Sequence, residues 1–280
     1  MPSRRDCSYI RRIEYDADAR VAISNLRRRS VAISAIGNFS MTHVQQLTVA
    51  IIDLAANNHH APAGTQIDIA TRTFNGLSLL EWCVRRLSES TMLDQTIITG
   101  LPSYLPQIQS SSLCGAKWMP SLANDPLHRA YEIAERTQAT WLVLVTPSCP
   151  FLDPSLLDRL ITSAWNRPEA DYVGFMASKH PRFNLSRLGL VAEVCTQKAL
   201  QQALERKLDS SVEIANIFRS HPNHFQMRLV PLPERLDRSD LRFALETAED
   251  WEQAYSFVEA AGEDLTWQRL VQLAGPGANE

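Results

Sequence analysis

Few residues of this 280-residue chain combine the type and spacing that chemistry needs. Asp53 sits at the end of the apolar run Leu47–Leu54, where a carboxylate at a strand end can face a ligand crevice or simply meet solvent. Cys149 follows the most apolar strand-like run in the chain and offers a thiol nucleophile. His221-Pro222-Asn223-His224 has H-x-x-H spacing, but Pro222 breaks the helix that would align two imidazoles on one metal, so a structural turn is the expected role. Glu246 precedes Thr247, at a place where a carboxylate also serves as a helix-entry charge. Gly275 and Gly277 form the one G-x-G of the chain, in its tail, so a dinucleotide fingerprint and a phosphate-cradling loop are both excluded. The cysteines Cys7, Cys83, Cys114, Cys149 and Cys195 contain no C-x-x-C pair; a zinc site or disulfide framework is not expected, and a reducing cytoplasm is the default compartment.

These residues need elements to position them, and the hydropathy pattern supplies an alternation of strands and helices. Strands are expected at Leu47–Leu54, Gln95–Thr99, Thr140–Thr146 and Asp171–Ala177, with Thr140–Thr146 central. Helical spacing of Leu79, Leu80, Cys83, Val84 and Leu87 places an amphipathic helix within 77–90. Asp125-Pro126 and Asp153-Pro154 each read as an N-cap followed by proline in the first turn. This order predicts an α/β fold: a mainly parallel central sheet with helices on both faces. Beyond residue 178 the rhythm changes. Strands are expected at Leu188–Val194, Phe225–Leu232 and Leu241–Leu245, and helices at Thr196–Lys207 and Ser210–Arg219. A capping box at Thr247–Asp250 opens a helix that ends at Gly262, and a last helix runs over Asp264–Ala274.

Composition bounds the rest. Hydrophobic residues make up 45% and charged residues 21%, which suits a globular chain and rules out a disordered one. Residues 1–40 carry eight Arg against four acids, net +4; the remainder carries 20 basic and 27 acidic residues, net −7. The first 40 residues are therefore expected to form a basic, disordered tail, and 41–280 a single domain with an excursion at about 178–233. With a net charge of −3, neither nucleic acid nor a membrane is expected as a partner. The uncharged stretch Val31–Ile52 is interrupted by Ser34, Asn38, Ser40, Thr42, Gln45 and Gln46, among others, and does not span a bilayer.

Four strings, in order, carry a family resemblance. Asn75-Gly76-Leu77-Ser78-Leu79-Leu80-Glu81-Trp82 resembles G-K-P-L-L-E-W. Asp125-Pro126-Leu127-His128-Arg129-Ala130-Tyr131 resembles D-V-L-x-R-Y. Ser148-Cys149-Pro150-Phe151-Leu152-Asp153-Pro154 resembles D-C-P-L-I-D-P. The run from Leu241 to Asp250 resembles L-R-x-T-L-D-T-P-E-D. Together they are similar to the cytidylyltransferase-like branch of the nucleotide-diphospho-sugar transferase superfamily, near its spore-coat-polysaccharide and CMP-KDO synthetase-like members. The resemblance implies a glycosyltransferase-A-like fold over roughly residues 47–274 and a place in activated-sugar or cell-envelope carbohydrate synthesis.

It also implies a chemistry and shows where this chain departs from it. Transfer of a nucleotidyl group builds charge on phosphate oxygens, which Mg²⁺ on carboxylates and loop cations neutralise. The family loop after the first strand reads A-R-x-x-S-x-R-L-P-x-K; here Ala55 to Asp68 hold neither Arg nor Lys. His59, His60 and Arg72 are the candidate replacements, although neutral imidazoles clamp phosphate poorly near neutral pH. Ser148 stands where the resemblance places the first metal-binding Asp, and Glu246 where it places the second, so Glu246 is the metal candidate. Asp53, Asp125 and Arg129 complete the candidate nucleotide or substrate contacts. Two readings stay open: an active, Mg²⁺-dependent cytidylyltransferase acting on a sugar or sugar acid, or a member with catalysis lost or altered, serving as a binding or scaffolding subunit. The missing loop cations and Ser148 favour the second. A homodimer through the excursion is also expected, with Phe183, Leu185, Leu188, Phe218 and Phe225 as its apolar contacts.

Overall fold

A computed structural model describes residues 46–55, 71–109, 111, 113–180, 185–208 and 213–275. The expectation for residues 1–40 lies outside them, as do His59, His60 and Phe183. In chain order the elements are β1 (Thr48–Asp53), β2 (Thr73–Phe74), β3 (Leu77–Ser78), α1 (Leu79–Ser88), β4 (Gln95–Thr99), α2 (Leu105–Gln109), β5 (Lys117–Trp118), α3 (Pro126–Thr137), β6 (Trp141–Val145), α4 (Pro154–Trp165), β7 (Tyr172–Met176), α5 (Leu185–Leu188), β8 (Glu193–Thr196), α6 (Gln197–Glu205), α7 (Ile214–Ser220), β9 (Met227–Pro231), α8 (Ala248–Ala261) and α9 (Trp267–Leu273).

Seven strands form one sheet in the order β5-β4-β1-β6-β8-β7-β9, with β6 at its centre as expected. Pairing is parallel from β5 to β6 and between β7 and β9; β8 alone runs antiparallel to both its neighbours. The mainly parallel α/β reading holds. All six residues of β1 are buried, as a strand covered on both faces requires.

Two cores lie on opposite faces of the sheet. Ala50, Ile52 and Leu54 pack with α1, α4 and α8, whereas Val49, Ile51 and Ile97 pack with α3, α6 and α7. Because side chains alternate along a strand, Asp53 and Thr99 continue the second set and turn toward α3. That alternation decides which helix Asp53 meets.

The predicted caps are in place. Asp125 accepts from the N–H of His128, Asp153 from those of Ser155 and Leu156, and Thr247 from that of Asp250. Ser78 and Glu81 add a capping box at α1 that was not foreseen. Asn75 and Gly76, both at positive φ, turn the β2–β3 hairpin, since a two-residue hairpin loop needs left-handed backbone there.

Three expectations need correction. Leu241–Leu245 forms no strand: the N–H groups of Phe243 and Ala244 donate to the Arg187 carbonyl and that of Leu245 to the Ser148 carbonyl, so the segment is tied to loops. Strand β8 begins at Glu193, not Leu188, because Leu185–Leu188 coils into α5. The apolar residues offered for a homodimer are used within the chain: Leu185, Leu188, Phe218 and Phe225 are all at most 6% exposed and sit in the two cores.

Candidate functional site

The chain leaves β1 for β4 on one side, and β6 lies on the other side of β1, so the order reverses between β1 and β6. In an open α/β sheet such a reversal opens a crevice beyond the carboxyl ends of the strands. A cleft is found there. Its apolar walls include Ile51, Leu144 and Val145 from the strands, Ala130 from α3 and Ala215 from α7. Its polar lining includes Asp53, Thr146, Ser186, Glu193 and Glu213, and among the described residues no Lys or Arg.

Asp53 is occupied. Its Oδ2 accepts from Arg129 Nε at 2.8 Å and its Oδ1 from the Ala55 N–H at 2.9 Å. Arg129 is 2% exposed and also donates from Nη1 to the Ala123 carbonyl at 2.9 Å. Burial pushes the Asp53 carboxyl above its ordinary range, and this outweighs the opposing pull of Arg129 and of the Ala55 N–H. Two buried atoms nearby have no hydrogen-bond partner: Arg129 Nη2, and the hydroxyl of Thr99, the residue in register with Asp53 on β4. Asp53 and Arg129 were both singled out from the sequence, and the fold brings them together. It does so as an ion pair.

The remaining predicted residues divide. Asp125 caps α3 and pairs with the His128 ring. Arg72 lies over the Trp251 ring with its guanidinium carbon 4.1 Å from the centroid, and this contact engages the group expected to reach back to the phosphates. Ser148 and Glu246 are brought close, because the Leu245 N–H donates to the Ser148 carbonyl at 2.8 Å. Gly189, at φ +67°, lets this segment approach: a Cβ there would stand 2.3 Å from the Ala244 nitrogen.

The resulting donor set does not fit a magnesium ion. Ser148 offers a neutral hydroxyl, Asp53 is held by Arg129, and Glu246 is paired with Arg242 Nη2 at 3.1 Å. Among the described residues, no three His, Cys, Asp or Glu side chains gather as a metal site would require. Arg242 also forks onto Asp250, with Nε at 2.6 Å and Nη2 at 2.8 Å, while the N–H groups of Glu246 and Thr247 donate to the same carboxylate. Burial pushes the Asp250 carboxyl up, but these donors outweigh it and the net shift is downward. A folded-state pKa below the unfolded one stabilises above the unfolded value and is lost on acidification. Asp250→Asn should therefore cost about 1 kcal/mol, a typical cap contribution. The difference from wild type should be full above about pH 4, an ordinary Asp value, and fade as pH falls further. Urea melts across the acid range test this; a penalty that persists unchanged at low pH would contradict it.

Two further alternatives close. Cys149 is 5% exposed, and burial pushes its thiol up to about 12, so it is protonated and no nucleophile. His221 and His224 stack with ring centroids 5.7 Å apart, and His221 Nδ1 contacts the Ile217 carbonyl at 2.9 Å. They form a helix-end turn.

The cleft's other acidic wall was missed. The Tyr172 hydroxyl donates to Glu193 Oε1 at 2.6 Å and accepts from Arg219 Nε at 2.9 Å, while Arg219 Nη2 reaches the same Oε1 at 2.5 Å. Burial, and next the charge of Glu193, hold the Tyr172 hydroxyl well above its usual range. Glu213 Oε2 accepts from the Ser186 hydroxyl at 2.9 Å. One signal was legible: Glu193 is a lone charge between Ala192 and Val194 in a run read as a strand.

No protein-family model matches the chain. It is 27% identical over 154 residues, 52% of its length, to the spore coat polysaccharide biosynthesis protein SpsF of Bacillus subtilis (strain 168), and spans 60% of that protein's length. A cytidylyltransferase from Leptospira borgpetersenii serovar Hardjo-bovis (strain JB197) matches with a TM-score of 0.66 at 16% identity, over 82% of this chain and 94% of that one. A CMP:2-keto-3-deoxy-manno-octonic acid synthetase complexed with CTP matches with a TM-score of 0.55 at 10% identity, over 76% of this chain and 99% of that one. At such identities the likeness to solved structures concerns the fold. No helix among the described residues is long and apolar enough to cross a membrane. The seven-stranded sheet, its crevice and these matches agree on the fold: it is the nucleotide-sugar-transferase-like α/β fold of the cytidylyltransferases that the chain matches in structure.

Proposed function

We propose that this chain is a cytidylyltransferase-like protein of activated-sugar or cell-envelope carbohydrate synthesis that binds a nucleotide or nucleotide-sugar in the crevice beyond β1 and β6 without transferring the nucleotidyl group, and so acts as a binding or scaffolding subunit. The observation that supports this reading is the state of the carboxylates. Asp53 is held by Arg129 and Glu246 by Arg242, and Ser148 stands in place of the first metal-binding Asp, so none of the positions expected to carry Mg²⁺ offers an unpaired carboxylate. The loop from Ala55 to Asp68 adds no cation. The alternative, an active Mg²⁺-dependent transferase, would need a different way of neutralising the triphosphate. Residues 1–40 and the cytoplasm belong to this proposal only as its setting.

Melting of the full chain with CTP, UTP, GTP, ATP and their nucleotide-sugars, each with and without Mg²⁺, tests it. A ligand at 100 times its Kd stabilises the folded state by about 2.7 kcal/mol. At least one nucleotide or nucleotide-sugar should raise the melting temperature, equally with and without Mg²⁺. A response that requires Mg²⁺ supports the active alternative. No response to any of them removes nucleotide binding.

A further inference from the structure

Two buried polar atoms beside the crevice, but not in it, need a partner of their own. Arg129 Nη2 and the Thr99 hydroxyl have no hydrogen-bond partner among the described residues, and the two residues are 2% and 0% exposed. Neither residue lines the crevice, so a ligand seated there does not serve them. A buried donor or acceptor left unpaired costs the desolvation of that group, and native folds rarely leave two side by side.

The fold brings the two atoms together. Thr99 is the register partner of Asp53 on the neighbouring strand, about 4.8 Å away, and both side chains turn toward α3. Arg129 reaches Asp53 Oδ2 with Nε at 2.8 Å and the Ala123 carbonyl with Nη1 at 2.9 Å. The chain leading to Ala123 runs along the far side of β4 from β1, where the N–H groups of Met119 and Ser121 donate to the Ile98 and Gly100 carbonyls. A guanidinium anchored at both places lies across the end of β4, where Thr99 stands. Its fork is planar, so Nη2 sits between the edge that meets Asp53 and the edge that meets Ala123. Both atoms therefore converge on the Asp53 carboxylate. Among the described residues, Oδ2 of that carboxylate receives a single bond, from Arg129.

We infer that this cluster binds one internal water molecule, held by Arg129 Nη2, Thr99 Oγ1 and Asp53 Oδ2. Charge selects the ligand. Arg129 and Asp53 already neutralise each other, so an anion would be repelled by Asp53 and a cation by Arg129. The groups to be served are one N–H donor, one carboxylate lone pair and one hydroxyl that can donate or accept. Water matches that set. It accepts from Nη2, donates to Oδ2 and makes its third bond with the hydroxyl, and three bonds are the usual number for a buried water. It links the ends of β1 and β4 to α3, the helix whose Pro126 and Ala130 wall the crevice. The inference is independent of what the crevice binds.

The test is a crystal structure of the full chain at a resolution that shows ordered solvent, with thermal melts of Thr99→Val and Thr99→Ser beside it. A solvent peak is expected within about 2.7–3.2 Å of all three atoms, and Thr99→Ser should keep it. Thr99→Val preserves the shape of the side chain and removes its hydroxyl. With the water in place, this strips one of three bonds, and the melting temperature should fall by about 2–4 °C. Without the water, the same change removes a buried hydroxyl that bonds to nothing, and the melting temperature should hold or rise. The sign separates the two cases. No solvent peak, a direct hydrogen bond between Arg129 Nη2 and Thr99 Oγ1, or a Thr99→Val chain that melts at or above wild type would overturn the inference. If Thr99→Val fails to fold, the wild-type crystal structure decides alone.

Discussion

Asp53→Asn should destabilise the protein by about 3–5 kcal/mol, because it strands a buried guanidinium that cannot lose its charge. Arg129 is 2% exposed and its Nε depends on Asp53 at 2.8 Å. Arg129→Met should behave differently, since a stranded carboxyl can escape by taking up a proton. Burial already pushes Asp53 above its usual range with Arg129 present; without Arg129 the folded-state pKa must rise further. A folded pKa above the unfolded one gives stability that is full below the unfolded value, about 3.9, and is lost as pH rises through the folded value. The Arg129→Met penalty should therefore be small in acid and grow toward neutrality, while that of Asp53→Asn, which removes a carboxyl with a raised folded pKa, should shrink as pH rises through that folded value and be flat above it. The double variant Asp53→Leu, Arg129→Met should recover most of the loss, as apolar replacement of a buried pair often does. Urea unfolding of the three variants at several pH values measures this. Single-variant penalties below about 1 kcal/mol, the range of exposed pairs, would mean that the pair is not buried in solution.

Much of this architecture could be read from residue order, and the reasons are local. Asp125-Pro126 and Asp153-Pro154 announced their helices because a carboxylate cap and an N1 proline act within one turn. The strands at Gln95–Thr99 and around Leu142 were legible as short apolar runs between turns. Leu241–Leu245 misled for the same reason: an apolar run looks like a strand whether or not a partner strand exists. Its N–H groups found the carbonyls of Arg187 and Ser148, which are 56 or more positions away in the chain and invisible to any window.

The site was legible in part. Asp53 could be placed at a crevice from strand order, yet its partner Arg129 was known only as a member of a string, and their pairing depends on which face residue 53 takes. Tyr172, Glu193 and Arg219 come from β7, β8 and α7, and only the antiparallel insertion of β8 between β6 and β7 brings them to one wall. Nothing in the spacing of these three residues signals that meeting. For the homodimer contacts, apolar type was taken for apolar surface, whereas Phe218 and Phe225 pack on each other with ring centroids 4.9 Å apart inside the second core.

No pyrophosphate should be released from CTP above background, with or without Mg²⁺, in the presence of sugars or sugar acids. The argument is electrostatic. Transfer at the α-phosphate requires the charge on its oxygens to be met by cations already in place, and removing a single such stabiliser costs about 3–4 kcal/mol of barrier. Here several are affected together. Ser148 removes a full charge from the expected metal shell, Glu246 is drawn to Arg242 at 3.1 Å, and Ala55 to Asp68 contain no Arg or Lys. Arg72, the nearest cation along the chain, spends its charge on Trp251. Restoring one partner should not be enough. Ser148→Asp should create measurable Mg²⁺ affinity, readable as a metal-dependent rise in melting temperature, because Leu245 already ties residue 148 to the segment that carries Glu246. Turnover should stay at background in that variant, since the triphosphate would still lack its loop cations. Robust Mg²⁺-dependent pyrophosphate release by the wild-type chain would overturn this reading, and recovery of turnover in Ser148→Asp would show that the metal carboxylate alone was missing.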